Sequence, residues 1–150
     1  MDPAGLIQRR VWPGAYLHCD PELLAQVLTL PSENYLAEQM EVVDVDGIHA
    51  AHCFVRRTLA ERLRDLLLAT YETLHEPGQG GYRIDAAAIG QRALKNVCLD
   101  YLMQLDDADL HALCLRQFRE ASTMTDQIGA LAPLAHCAGP ERTEALARIL

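Results

Sequence analysis

His49, His52 and Cys53 are the residues of this chain whose types and spacing come nearest to a metal-binding group. On an α-helix, offsets of three and four residues place all three on one side. The trio is therefore a conceivable three-ligand patch, with Asp44 and Asp46 close by in sequence as oxygen donors. Ordinary side chains on an amphipathic helix have the same spacing, however, and a competent centre also needs a fourth ligand and a supporting shell. No second cluster with matching spacing accompanies it. The zinc signature H-E-x-x-H is absent. His75-Glu76 begins it, but Pro77-Gly78-Gln79 ends it, and the proline would break the helix that must present both histidines. The adjacent pairs His18-Cys19 and His136-Cys137 point in different directions on any regular element.

Other reactive constellations are missing as well. There is no G-x-S-x-G elbow, Walker-type phosphate loop or G-x-G-x-x-G. Gly78-Gln79-Gly80-Gly81 is glycine-rich but follows a helical pattern, so it reads as a plain loop. Cys98, beside Lys95 and Asn96, lies within an apolar helical stripe and reads as core. The carboxylates fall at helix caps and on polar faces, with no pair set across an apolar pocket for general acid–base work. No catalytic, cofactor-binding or metal-ligating residue is assigned.

The elements carrying these residues are all helical in pattern. Residues 1–19 are punctuated by Pro3, Gly5, Pro13 and Gly14 and read as an irregular N-terminal segment; residues 20–150 read as one helical domain. Asp20-Pro21-Glu22 is an N-cap with a first-turn proline and acid, Pro31 closes that helix, and Ser32 caps the next. The short apolar run Glu41–Val45 reads as a connector, and Asp46 as the cap of a long helix over about 47–75. Along that helix Ile48, Ala51, Val55, Leu59, Leu63, Leu66, Thr70 and Leu74 step by three or four and define its apolar face. Asp85 caps a helix striped by Ile89, Ala93, Val97, Tyr101 and Leu105 and widened by Leu94, Cys98 and Leu102, a pattern for burial on more than one side. Asp107 caps the next helix, with Leu110, Leu113, Cys114, Gln117 and Phe118. Thr123 and Thr125 are both candidate caps for a helix that Pro133 is expected to kink or end. Gly139-Pro140-Glu141 starts a last helix whose Leu146, Ile149 and Leu150 leave an apolar turn without a polar cap, a pattern shared by an interrupted helical array and by a short terminal helix folded onto its own core.

Composition agrees. One Trp, five Tyr and two Phe in 150 residues, half of them hydrophobic, favour helices over a β-sandwich. The length suits a single domain with a real core. A net charge of −8, with no basic cluster beyond Arg9-Arg10 and Arg56-Arg57, argues against nucleic acid as a partner. Five cysteines without a C-x-x-C pair suggest reduced thiols. With no signal-peptide pattern and no apolar run approaching a membrane span, the expectation is a soluble, cytoplasmic chain without a membrane partner.

Three strings together carry a family resemblance. Leu28-Thr29-Leu30-Pro31-Ser32-Glu33 resembles the L-T-L-P-S segment of bacterial aminopeptidase N, the zinc-dependent alanyl aminopeptidase. Arg92-Ala93-Leu94-Lys95-Asn96-Val97-Cys98-Leu99 resembles its R-x-L-[RK]-N-x-C-L segment, and Gln117-Phe118 through Met124-Thr125-Asp126 its Q-F-x-x-A-x-N-M-T-D segment. The order and separations fit over residues 20–150. The chain departs at Thr123, where the family usually has Asn, and Pro133 is unusual for a helix there.

The resemblance implies an all-α fold of paired antiparallel helices in a superhelical, solenoid-like array. It also implies part of the C-terminal helical domain, with the zinc ligands, catalytic glutamate and substrate-facing arginines lying elsewhere in the parent protein. No site residue carries over. The expected role is a non-catalytic segment of a domain that shields and gates a peptide-hydrolysing site. The chain then needs no cofactor of its own, zinc belonging to the parent. Its expected partner is the remainder of such a protein, or a second copy through the C-terminal apolar face. A stand-alone helical-repeat module for protein–protein interaction is the alternative.

Overall fold

A computed structural model describes residues 20–75 and 84–149. The irregular segment expected at 1–19, with His18 and Cys19, the loop at 77–81 and Leu150 lie outside the described residues. The described residues form seven α-helices and no strand. They are α1 (Pro21–Leu28), α2 (Glu33–Glu38), α3 (Val45–Leu74), α4 (Ala86–Leu102), α5 (Ala108–Glu120), α6 (Met124–His136) and α7 (Pro140–Ala147). The Glu41–Val45 connector contains no strand.

Local chemistry sets most helix starts. Asp20, Ser32, Asp85, Asp107 and Thr123 each accept a backbone N–H from the first turn of the helix that follows. Such a cap satisfies one of four otherwise unpaired donors and contributes about 1 kcal/mol. The long helix begins two residues earlier than its pattern suggests. Asp44, not Asp46, is the cap, its Oδ1 accepting from the Gly47 N–H at 2.9 Å, while Asp46 lies in the first turn, where its charge favours the helix dipole. Thr123, not Thr125, caps α6.

The helices pack as a chain of neighbours. α4 is central and touches α1, α3 and α6; α5 pairs with α6; α7 lies against both α5 and α6; α2 lies against α3. As expected, α4 is buried on several sides, with Leu94, Cys98, Leu99, Tyr101 and Leu102 in the core. Tyr101 donates its hydroxyl to the Leu28 carbonyl at 2.6 Å, satisfying an acceptor at the open end of α1.

Two expectations need correction. The face of α3 is rotated by about one residue: Ala60, Leu67 and Tyr71 are buried, whereas Leu59, Leu63, Leu66, Thr70 and Leu74 are half-buried, and Ala51 and Val55 are exposed. The exposure of Ala51 and Val55 follows from the extent of the partner helix. Arg56 pairs with Asp100, close to the end of α4 at Leu102, so residues 45–55 run past α4 with only the short α2 beside them. The second correction is Pro133. α6 does not end there but continues to His136. The ring is buried, and packing of α6 against α4, α5 and α7 holds the helix through the lost hydrogen bond.

Candidate functional site

The most organised polar group lies inside the protein, where α4, α5 and α6 meet. Lys95 on α4 and Asp126 in the first turn of α6 form an ion pair at 2.8 Å, with side chains only 9% and 11% exposed. Asn96 donates through Nδ2 to Asp126 Oδ1 at 3.1 Å. Gln117 on α5 donates through Nε2 to Asn96 Oδ1 at 2.8 Å and to the Asp126 carbonyl at 3.0 Å. Both amide hydrogens of Gln117 are thus used, and its buried Oε1 has no partner among the described residues. Space for this node depends on a glycine. A Cβ at Gly129 would stand 2.7 Å from Asn96 Cγ, so α6 approaches α4 closely at that point.

A buried charge is tolerated only when paired and hydrogen-bonded. The node meets that demand and ties three helices in one register. It contains no nucleophile. Its four residues, Lys95, Asn96, Gln117 and Asp126, all belong to strings that carry the aminopeptidase N resemblance. Their convergence depends on tertiary contacts that no local periodicity reveals.

The sequence-derived trio does not assemble as three ligands. His49 Nε2 and Cys53 Sγ are 3.5 Å apart, but both residues are exposed. His49 Nδ1 and His52 Nδ1 lie 2.9 Å and 3.8 Å from Glu33 Oε1. The histidines thus serve as partners of a carboxylate at the start of α2. Asp44, considered as a donor, is engaged in capping α3.

A small cavity of about 410 Å³ is lined by Tyr71, Glu72, His75, Arg116 and Glu120. Tyr71 and His75 stack at 5.2 Å between ring centroids. Burial, followed by the fields of Lys95 and Arg116, lowers the His75 pKa below its ordinary value. Burial pushes the Tyr71 hydroxyl well above the ordinary tyrosine range. Burial thus favours the neutral form of both groups. An apolar cleft of about 180 Å³ opens between α1, α3 and α4, lined among others by Leu24, Leu28, Leu63, Leu67 and Cys98. Burial raises the Cys98 thiol to about 12, so it stays protonated and behaves as a small hydrophobe.

One cluster has no counterpart in the sequence reading. His111 of α5, Cys137 after α6 and Glu141 of α7 bring one potential ligand atom each to within 4.8 Å of the others. Cys137 and Glu141 are four residues apart across the α6–α7 junction, but His111 joins them only through the packing of α5, which no local spacing signals.

Comparisons with known proteins place this architecture. The family described as "Domain of unknown function (DUF3458_C) ARM repeats" matches residues 15–150. The chain is 39% identical over 112 residues to aminopeptidase N of Escherichia coli, covering 75% of this chain and 12% of that protein. It is 38% identical over 127 residues to aminopeptidase N of Caulobacter vibrioides, covering 85% and 14% respectively. Among solved structures, the crystal structure of Legionella pneumophila aminopeptidase A in complex with aspartic acid superposes with a TM-score of 0.71 at 25% identity, over 87% of this chain and 16% of that one. The chain therefore spans only 12–14% of the length of these aminopeptidase N relatives. Seven helices without a strand among the described residues, α4 at their centre, and a match across nearly the whole chain lead to one assignment: the chain belongs to the DUF3458_C ARM-repeat family.

Proposed function

We propose that this helical array is a non-catalytic part of an aminopeptidase N-like protein, acting as a scaffold that shields and gates a zinc-dependent peptidase site carried by the rest of that protein. The observation that carries the reading is the match of 75–85% of this chain to a 12–14% stretch of aminopeptidase N from two bacteria. The surface supports it. Val42, Val45 and Phe54 are 83%, 67% and 71% exposed around the overhanging start of α3. Leu146 and Ile149 are exposed at the opposite end of the chain. These exposed apolar side chains are available for contact with the rest of such a protein.

The activity of the parent would be removal of an N-terminal residue from a peptide, with zinc activating the attacking water. This chain would contribute shape and access, not chemistry. The gating role is tested by adding the chain to a purified catalytic portion of an aminopeptidase N. The expected result is saturable binding that lowers kcat/KM for long peptides more than for a short chromogenic substrate. Saturable binding with equal kcat/KM ratios would remove the gating role; no binding would remove the reading.

A further inference from the structure

We propose that His111, Cys137 and Glu141 form a binding site for a divalent transition metal ion of the zinc type, tying α7 to α5 and α6. The three residues offer nitrogen, sulfur and oxygen, the donor set that zinc accepts. His111 lies in the first turns of α5, Cys137 is the residue that caps α6, and Glu141 is in the first turn of α7. One ligand atom from each lies within 4.8 Å of the others. Around tetrahedral zinc, bonds of about 2.0–2.3 Å put ligand atoms roughly 3.3–3.8 Å apart. Closure on an ion therefore requires a contraction of up to about 1 Å between the ligand atoms, and Glu141 is the half-exposed member of the three.

Three further observations point the same way. His111 and Cys137 are both buried, at 7% and 8% exposure, and neither side chain makes a hydrogen bond with another described residue. Both side chains are therefore uncommitted to other protein groups and available to an ion. Gly139 keeps the centre open: a Cβ there would stand 2.2 Å from Glu141 Oε2 and 3.5 Å from His111 Nδ1. A side chain at this position would displace the Glu141 carboxylate from its present place beside His111. Finally, the exposed Asp106 carboxylate lies 3.9 Å from His111 Nε2, beyond hydrogen-bond distance; with Nδ1 directed to the ion, closing that gap would let it orient the ring, as carboxylates commonly do for metal-bound histidines.

Binding replaces the Cys137 thiol proton by the metal and releases that proton to solvent, with no change in oxidation state. Three protein ligands leave a fourth position for water.

The probe is Co²⁺, which reports thiolate ligation and tetrahedral geometry in its absorption spectrum. The reduced 150-residue chain is titrated with Co²⁺ and then with competing Zn²⁺, with far-UV circular dichroism to verify helical content. The expected result is one Co²⁺ per chain with a thiolate charge-transfer band that Zn²⁺ abolishes. The band is lost in Cys137→Ser and retained in Cys53→Ser. Asp106→Asn, at an exposed position, should weaken binding about 10–100-fold, and Glu141→Gln at least as much. Should Cys137→Ser fail to fold, the Glu141→Gln and Asp106→Asn variants decide the matter. A folded wild-type chain without the band, a band that survives Cys137→Ser, or affinity unchanged by both carboxylate variants would overturn the site.

Discussion

Truncating Asp126 to alanine should be among the most damaging single changes in this protein. Its carboxylate accepts from Lys95 at 2.8 Å and from Asn96 at 3.1 Å, and the Lys95 side chain is 9% exposed. At 2.8 Å the gross attraction of the pair is about 6 kcal/mol for an effective dielectric constant near 20. The net cost of removal is set instead by what is left behind, a buried ammonium without its counter-ion, and is roughly 3–5 kcal/mol. Loss of a first-turn acid from α6 adds a few tenths. Total stabilities are about 5–15 kcal/mol, so the variant would forfeit a large share. At about 2–4 °C per kcal/mol, Tm should fall by roughly 6–20 °C. Urea unfolding followed by far-UV circular dichroism measures the loss directly. The double variant Lys95→Met/Asp126→Leu removes both charges, so it should recover at least half of the loss. A loss under about 1 kcal/mol in Asp126→Ala, or losses in Lys95→Met and Asp126→Leu that simply add in the double variant, would refute the reasoning.

Other outcomes follow from the same structure. His75 has a folded-state pKa below its unfolded value because it is buried, so the unfolded chain binds the extra proton and stability should fall as pH drops below the ordinary histidine range. The loss levels off below the folded-state pKa, and His75→Gln should flatten the urea-midpoint profile there; an unchanged profile would remove His75 as its source. Thiol labelling of the native chain at neutral pH should reach exposed Cys53 and spare Cys98 and Cys114, whose thiols burial pushes up; equal labelling of Cys98 and Cys53 would contradict the described core. Leu146→Glu should reduce self-association at high concentration in sedimentation velocity, since Leu146 and Ile149 are exposed; a parent chain that is cleanly monomeric would count against that contact.

The helices were legible where their signals are local. Asp20, Ser32, Asp85, Asp107 and Thr123 could be read as caps because the side chain bonds to backbone two or three residues away. Asp44 and Asp46 stand at equally plausible offsets for the cap of α3, and only backbone geometry selects Asp44. The burial face of α3 depends on where α4 ends, and the continuity of α6 through Pro133 depends on three neighbouring helices. Neither is written in a local period. The polar node shows the same limit. Lys95, Asn96, Gln117 and Asp126 stand out as motif residues, but a lysine next to a core cysteine carries no sign of its buried aspartate on another helix. His111, Cys137 and Glu141 were harder still, since each looks ordinary on its own element.

The central claim is that this chain is scaffold, not catalyst. It is tested most directly by assaying the purified 150-residue protein on an alanyl chromogenic substrate with added zinc, beside an intact aminopeptidase N as positive control. The expected rate is indistinguishable from that of buffer with zinc. Robust turnover that co-purifies with the folded chain would contradict it.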